Sequence, residues 1–282
     1  MAVKVGIVGL GTMGAGIAQV SVVAGHETVG REVSHELAER GRGTIEHYLG
    51  RAVEKGRMGA ADRDAALGRL TLTTELSDLA DCELVIEAVL EELPLKREVF
   101  EDLDRLTGPD AILATNTSAL SVAEIAEATE RPERVVGMHF FNPAPILPLV
   151  EIVRAPKSSD DAVRKAYKWA EEAGKQPVSC NDTPGFIVNR ILIPLLNDCI
   201  RVLDEAGVTP EDLDKAMVNG AGWPLGPCAL VDLVGIDVHV HASDALYEKL
   251  GEARMAPPER LVAMQKEGRL GRKTGAGFFE YG

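Results

Sequence analysis

Short apolar runs alternate with amphipathic stretches through the first two thirds of the chain. Runs rich in Val, Ile and Leu predict buried strands at 3–8, 26–29, 84–86, 111–114, 135–138 and 149–153. Apolar residues at helical spacing predict intervening helices at 13–24, 95–106 and 122–128. This strand–helix–strand order is typical of a Rossmann-like α/β fold, in which helices cover both faces of a doubly wound, mainly parallel sheet.

The segment 34–57 interrupts this alternation. It is too long for a simple crossover loop and is rich in Glu and Arg, while Leu37, Ile45, Leu49 and Val53 recur near helical spacing. We expect a helical arm that projects from the sheet and ends in a glycine-containing turn.

The strand pattern stops after Cys180. Asp182-Thr183-Pro184 is typical of a helix start, with a polar cap followed by proline in the first turn. The apolar run 186–203 predicts a buried helix, because polar residues interrupt it too often for a membrane span. We therefore expect two domains, a sheet domain at 1–183 and an all-helical domain at 184–282.

Composition narrows the function classes. The formal net charge is -14, so the chain lacks the basic footprint of a nucleic-acid-binding protein. The four cysteines form no C-x-x-C pair and have no histidine at metal-ligand spacing, which favours reduced thiols and no metal site. The apolar N-terminus is better explained by a strand, a glycine turn and a helix than by a secretion signal, so we expect a cytoplasmic protein that does not bind membranes.

Gly9-Leu10-Gly11-Thr12-Met13-Gly14 is a G-x-G-x-x-G motif. It follows a predicted strand and opens a predicted helix, a placement that favours a dinucleotide site over a purely structural turn. Gly9 permits the tight turn, Gly11 lets the backbone approach a pyrophosphate, and Gly14 lets the helix pack on the strand.

An acidic residue should follow the second strand and bind the adenine ribose. Glu32 lies 23 positions after Gly9, close to the usual offset of about 20 residues. The preceding Arg31 could instead face a 2′-phosphate. Because the Glu32 carboxylate repels that phosphate, we predict NAD rather than NADP.

A histidine and a glutamate suggest the reacting centre. His139 ends a predicted strand, where doubly wound folds place ligands, and Glu151 lies twelve residues later in the next strand. Such an acid could hold the imidazole in one tautomer and stabilise its cation, and histidine suits removal of a hydroxyl proton near neutral pH.

Two further polar groups have alternative roles. Asn116-Thr117-Ser118 follows another strand and could bind a substrate oxygen or cap the helix at 122–128. Asn189 interrupts the apolar helix and could pair with backbone or face a cleft between the domains.

Taken together, these segments closely resemble the 3-hydroxyacyl-CoA dehydrogenase family, especially its short-chain 3-hydroxybutyryl-CoA members. The resemblance runs almost end to end. Besides the glycine motif and Asn116-Thr117-Ser118, it includes His139-Phe140-Phe141-Asn142-Pro143, Asp182-Thr183-Pro184-Gly185-Phe186-Ile187-Val188-Asn189-Arg190, Gly220-Ala221-Gly222-x-Pro224-x-Gly226-Pro227 and Lys273-Thr274-Gly275-x-Gly277-Phe278.

The resemblance implies an activity, the NAD-dependent oxidation of an (S)-3-hydroxyacyl-CoA to the 3-oxoacyl-CoA, and the reverse reduction. It implies that His139 is the base, that Glu151 orients it, and that Ser118 and Asn189 contact the substrate. Residues lining the nicotinamide half of the cofactor site would be Glu91, Lys96, Asn116, Asn142 and Lys273. Lys55, with its neighbours Arg51 and Arg57, would lie near the CoA nucleotide. The resemblance also implies a homodimer formed through the C-terminal domain, although the apolar stretch 230–234 fits a monomer's core equally well.

The sequence departs from the family in two places. Gly30 stands where a bulkier residue is usual, and Glu32 where Asp is usual. Tyr48 replaces a smaller polar residue of the arm. Two alternative functions stay open, a hydroxyacid or sugar-acid dehydrogenase that does not use CoA, and a non-catalytic, crystallin-like dinucleotide-binding protein.

Overall fold

The computed structural model describes residues 3–282, which form two compact units, one ending at Thr183 and the other beginning at Pro184. In this described part, no helix is both long enough and apolar enough to cross a membrane.

An eight-stranded sheet forms the first unit. Its strands are β1 Lys4–Val8, β2 Glu27–Arg31, β3 Leu70–Thr73, β4 Leu84–Glu87, β5 Ile112–Thr115, β6 Val135–Phe140, β7 Leu149–Arg154 and β8 Gln176–Asn181. Their spatial order is β3-β2-β1-β4-β5-β6-β7-β8. Neighbouring strands from β3 to β6 run parallel, β7 is antiparallel to β6, and β8 is parallel to β7. The expected mainly parallel, doubly wound sheet is confirmed.

The sequence pattern did not indicate the two edge strands. β3 alternates leucine with threonine and is only partly buried, and β8 contains Pro177 and exposes most of its side chains. Because an edge strand has one unpaired side, it tolerates proline and polar residues, and the apolar signal is lost.

The helices of the first unit are α1 Thr12–Val23, α2 His35–Glu54, α3 Ala60–Leu67, α4 Leu93–Leu106, α5 Val122–Ala126 and α6 Asp160–Glu172. The arm expected at 34–57 is α2, and the Ser34 hydroxyl caps it by accepting from the N–H of Leu37. Ala38, Ile45 and Leu49 are buried in the core of the unit. The arm is therefore packed along one face and does not project freely.

The carboxyl ends of β1, β4 and β5 finish at one level, and β6 continues past that level to Phe140. Val8 pairs with Glu87, Glu87 with Thr115, and Thr115 with Gly137, across β1, β4, β5 and β6. The turns that follow these strands therefore meet at a single edge of the sheet, where open α/β folds bind their ligands.

The second unit is helical, with isolated β-bridges near its end. Its helices are α7 Val188–Ala206, α8 Pro210–Ala221, α9 Pro227–Val234, α10 Ile236–Leu250 and α11 Glu259–Lys266. Leu196, Ile200, Leu203 and Val231 are among the residues of its core.

The helix start predicted at Asp182-Thr183-Pro184 is wrong. Helix α7 begins at Val188, after Gly185 and Phe186 adopt positive φ angles of 76° and 48°. The Asp182 carboxylate accepts from the Ser121 hydroxyl and the Ala123 N–H, both at 2.8 Å, and so caps α5 instead. A cap motif identifies a residue that can satisfy free N–H groups, but not which helix supplies them.

Candidate active site

The glycine turn between β1 and α1 fits a dinucleotide phosphate. A Cβ on Gly14 would lie 1.7 Å from the Gly9 carbonyl oxygen, so only glycine lets α1 begin so close to the turn. Among residues 3–282, a Cβ on Gly11 would meet no heavy atom within 4 Å other than those of its chain neighbours. Thr12 and Met13 form the start of α1 beside this open space. Helix N–H groups facing open space are suited to a pyrophosphate.

Leu10 explains the unusual glycine in the second strand. A Cβ on Gly30 would lie 2.9 Å from a methyl carbon of Leu10, and a Cβ on Gly41 would lie 2.6 Å from the Leu10 Cβ. Leu10 is 4% exposed. Its side chain fills the space that a larger residue at Gly30 would occupy and connects the glycine turn to β2 and α2.

Glu32 follows β2 and binds the glycine turn directly. One carboxylate oxygen accepts from the Leu10 N–H at 2.7 Å, and the other accepts from the Val33 N–H at 2.9 Å. The neighbouring Arg31 donates instead to the Thr74 carbonyl at 3.3 Å. The carboxylate is therefore fixed beside the turn, while the guanidinium is directed toward the segment after β3.

A buried ion pair lies behind the ends of β4 and β5. The Lys96 ammonium, 1% exposed, is 2.7 Å from Glu87, which is 0% exposed, and 3.2 Å from Glu91. Glu87 also accepts from the Val89 N–H at 2.7 Å and the Thr115 hydroxyl at 2.8 Å. Lys96 was predicted to be a site residue, but Glu87 was not, since it ends an ordinary apolar strand. A glutamate at the end of a buried strand, nine residues before a lysine, was the available signal.

Glu91 organises the turn that carries Ser118. Its Oε1 accepts from the Ser118 N–H at 2.8 Å and the Ala119 N–H at 3.1 Å, as well as from the Thr117 hydroxyl. Burial raises the pKa of Glu91, but the Lys96 ammonium and these hydrogen bonds outweigh it, so the net pKa lies below its usual value. The carboxylate is therefore ionised at neutral pH.

Asn116 connects β5 to β6. Its side-chain oxygen accepts from the backbone N–H of Phe140 at 2.9 Å, and its backbone N–H donates to the Glu87 carbonyl at 2.8 Å. The helix after this turn is capped by Ser121, whose hydroxyl accepts from the Glu124 N–H at 3.3 Å. The alternative that the 116–118 segment caps this helix is thus not supported.

His139 and Glu151 meet across the antiparallel pair of β6 and β7. They are directly opposite in register, and His139 Nδ1 lies 2.7 Å from Glu151 Oε2. His139 is 4% exposed and Glu151 is fully buried. Phe141 lies against the imidazole, with ring centroids 4.5 Å apart. This arrangement can hold one imidazole nitrogen protonated and stabilise an imidazolium cation.

The turn after β6 carries Asn142, which is joined to Pro143 by a cis peptide bond. Lys175, largely buried, donates to the Leu147 carbonyl at 3.1 Å and to the Ala144 carbonyl. Burial lowers the pKa of its ammonium. Lys175, which the sequence did not single out, therefore holds the connection between the strands of His139 and Glu151.

The remaining predicted residues lie elsewhere in the fold. Asn189 is in the first turn of α7, and Lys273 donates to Asp237 Oδ2 at 2.7 Å within the second unit. Arg51 is in the last turn of α2 and Lys55 follows it, both exposed. Within residues 3–282, no group of three or more His, Cys, Asp and Glu side chains could hold a metal ion.

Both parts of the chain match one protein family. Residues 4–183 match the NAD binding domain of 3-hydroxyacyl-CoA dehydrogenase, and residues 185–281 match its C-terminal domain.

Individual relatives agree over nearly the full length. A 3-hydroxybutyryl-CoA dehydrogenase of Mycobacterium tuberculosis is 46% identical over 99% of this chain and 98% of its own. The mitochondrial hydroxyacyl-coenzyme A dehydrogenase of Rattus norvegicus is 39% identical over 98% of this chain and 90% of its own. The crystal structure of (S)-3-hydroxybutyryl-CoA dehydrogenase from Ralstonia eutropha, 37% identical, superposes with a TM-score of 0.96 and covers 100% of both chains. The chain therefore belongs to the 3-hydroxyacyl-CoA dehydrogenase family, whose members oxidise a 3-hydroxyacyl-CoA with a nicotinamide dinucleotide.

Proposed function

We propose that this enzyme interconverts (S)-3-hydroxybutyryl-CoA and acetoacetyl-CoA, with NAD as cofactor and His139 as the base. The observation that carries the proposal is the buried 2.7 Å contact between His139 and Glu151, on the sheet that also carries the glycine turn. Relatives named 3-hydroxybutyryl-CoA dehydrogenase, 38–46% identical, support the short acyl chain.

His139 takes the proton of the substrate's 3-hydroxyl. Since Nδ1 contacts the Glu151 carboxylate, Nδ1 carries the hydrogen and the lone pair that accepts a proton is on Nε2. Bound NAD supplies the acceptor for the hydride that leaves C3. As the proton moves from the hydroxyl to Nε2, Glu151 stabilises the imidazolium. In the reduction the imidazolium returns this proton to the oxygen.

Ser118 and Asn189 complete the proposed reacting centre. Each donates a hydrogen bond to the substrate's oxygen as negative charge develops on it. The Ser118 N–H donates to the Glu91 carboxylate at 2.8 Å, and this hydrogen bond supports a fixed position for the turn that carries Ser118. We assign Glu91, Lys96, Asn116, Asn142 and Lys273 to the nicotinamide half of the cofactor site.

The choice of NAD over NADP rests on Glu32. Its carboxylate, anchored to the Leu10 N–H at 2.7 Å, presents a negative charge that would repel a 2′-phosphate and bind ribose hydroxyls. Arg31 is engaged by the Thr74 carbonyl. Both contacts favour the cofactor without the extra phosphate.

The end of α2 is the proposed site for the CoA nucleotide. Arg51, Lys55 and Arg57 are exposed there in a chain whose net charge is -14. A local basic patch is what a polyphosphate requires when the overall charge repels it. The exposed Tyr48 on the same helix offers a flat ring beside this patch.

We also propose that two copies associate through their C-terminal domains. Helices α7, α9 and α10 expose apolar side chains, with Ile191, Leu233 and Val238 at least half exposed. We assign these side chains to the contact between the two copies, because exposed apolar surface is typical of interaction sites. Sedimentation equilibrium would contradict a dimer by giving the mass of one chain, 30.2 kDa.

A cytoplasmic location is our further proposal. All four cysteines are free thiols, and burial raises the pKa of Cys82 and of Cys180 to about 11, so both stay protonated and unreactive. Free thiols persist in a reducing compartment. If a reporter fused to this chain is active only outside the cytoplasm, this location is contradicted.

A steady-state comparison of substrates and cofactors tests the proposal. Acetoacetyl-CoA with NADH should give the highest kcat/KM, longer 3-oxoacyl-CoA substrates a lower one, and free acetoacetate almost none. NADPH in place of NADH should lower kcat/KM by about tenfold or more, since it places a phosphate against Glu32. Equal rates with acetoacetate and acetoacetyl-CoA would reject the CoA substrate, and a preference for NADPH would reject the cofactor assignment.

A further inference from the structure

Lys96 lies in an environment that is unfavourable for a cation. It is in the first turn of α4, at the positive end of the helix dipole, and its side chain is 1% exposed. Burial removes the ammonium from water, and the positive end of the helix dipole repels it. Nearby anions must therefore hold it in place.

Two carboxylates do this, and they differ in how firmly they are held. Glu87 is fully buried and is fixed by the Val89 N–H and the Thr115 hydroxyl, at the ends of two neighbouring strands. Glu91 is 36% exposed, lies farther from the ammonium, and also binds the turn that carries Ser118. Glu87 is therefore the fixed end of the network, and Glu91 the end nearer to solvent.

We infer that Glu87 is a positioning residue for the cofactor site: it touches neither cofactor nor substrate, but fixes the Lys96 ammonium at the place from which Lys96 serves the dinucleotide. The inference rests on the proposed function in one respect, the assignment of Lys96 to the cofactor site. A charged hydrogen bond between fully buried groups gives the directional restraint that a flexible lysine otherwise lacks.

A double-mutant cycle on NADH binding tests the inference. Kd is measured from NADH fluorescence without acyl-CoA for Glu87→Gln, Lys96→Met and the double variant. Each single variant should bind NADH about tenfold more weakly, as expected for losing a hydrogen bond to a charged group. If Glu87 acts only through Lys96, the double variant should be no more than about twofold weaker than Lys96→Met.

Two additional variants separate positioning from stability. Glu98→Gln removes an exposed acid from the same helix and should leave Kd within about twofold of the wild type. Glu87→Asp keeps the charge but retracts it by one methylene, so it also tests the inference if Glu87→Gln does not fold. If Glu87 positions Lys96, Glu87→Asp should bind NADH more weakly. The thermal unfolding midpoint of the same sample shows whether the variant is folded. A purely charge-balancing role predicts unchanged NADH binding.

The outcomes are distinguishable. Normal NADH binding by Glu87→Gln or Glu87→Asp, with weak binding by Lys96→Met, overturns the inference and leaves the proposed function intact. Losses that multiply in the double variant also overturn it. Normal binding by Lys96→Met removes Lys96 from the cofactor site and rejects the inference together with that assignment, while the role of His139 is unaffected.

Discussion

His139 is held on several sides before any substrate arrives. Glu151 engages Nδ1, Phe141 lies against the ring, and only 4% of the residue is exposed. The base that we propose here gains from such restraint, because the proton acceptor does not have to be reoriented during the reaction.

Replacing His139 by Gln should lower kcat in the reduction of acetoacetyl-CoA by about 10²–10⁴-fold, the usual contribution of a general acid or base. Glutamine keeps a polar side chain but cannot take up the proton. The Kd for NADH, measured by fluorescence, should stay close to that of the wild type. Near-normal turnover in this variant would remove His139 as the base.

Single residues differed in how well the sequence predicted them. The glycine motif and the His139–Glu151 pair could be predicted because their neighbours along the chain carry the signal. Glu87 was missed although its spacing from Lys96 was a signal, and Lys175 could not be predicted, because its role depends on the 144–147 carbonyls, which only the folded chain brings to it. Asp182 was identified as a cap but assigned to the wrong helix, for the same reason.

Among the elements, the buried strands were predictable and the edges were not. β1, β4, β5 and β6 are buried along nearly their whole length, so their sequences are nearly continuous apolar runs. The edge strands β3 and β8 lacked this signal, and the amphipathic helix α6 was not singled out. The predicted arm became a packed helix because α2 buries Ala38, Ile45 and Leu49.

Helix α2 offers a test of how the glycine turn is supported. Replacing Gly41 by Ala would press a methyl group against Leu10, whose Cβ is 2.6 Å away. We expect the free energy of unfolding to fall by about 1–3 kcal/mol, as in other overpacked cores, and NADH to bind more weakly. Urea denaturation and NADH fluorescence measure the two effects.

Gly43 supplies the matched control, since a Cβ there would meet no heavy atom of the described part of the chain within 4 Å, apart from its chain neighbours and the helix's own local backbone. Gly43→Ala should stabilise the protein by about 0.5–1 kcal/mol through helix propensity alone. Equal stabilisation by both substitutions would show that Leu10 yields without cost, and would remove the proposed link between α2 and the glycine turn.

At the scale of the whole molecule, each unit has its own apolar core, and the core of the helical unit adjoins a buried polar cluster. His239 Nε2 donates to the Asn197 side-chain oxygen at 2.8 Å, while the Asn197 amide donates to the Ser243 hydroxyl and the Met255 carbonyl. Burial lowers the pKa of His239 to about 4. The folded protein therefore keeps this imidazole neutral in mildly acidic solution.

This neutral histidine should make stability depend on pH. Below pH 6.5, the ordinary pKa of histidine, His239 is protonated in the unfolded chain. In the folded chain it stays neutral until the pH falls to about 4. Protonation thus favours the unfolded state, and between pH 7 and pH 5 His239 alone should cost about 2 kcal/mol of stability. The free energy of unfolding of His239→Gln, measured with urea at both pH values, should fall between pH 7 and pH 5 by about 2 kcal/mol less than that of the wild type. An unchanged decrease would contradict the prediction, and the exposed His241→Gln serves as control.

The division of the chain into a sheet unit and a helical unit follows from where its apolar periodicity changes. That change is a property of long segments, so the sequence carries it strongly. Contacts between single side chains, such as that of Lys96 with Glu87, depend on distant segments, and local patterns hold no record of such pairings.

The antiparallel pairing of β6 with β7 has a consequence for how this enzyme can change over evolutionary time. Side chains alternate between the two faces of a strand, so a slip of one residue would turn Glu151 away from the imidazole, and burial of both strands opposes such a slip. The spacing of the acid–base pair is thus set by the strand ladder and not by the 141–148 connection. Insertions or deletions in that connection can therefore accumulate while the contact between His139 and Glu151, and the proton transfer that we propose for it, are inherited unaltered.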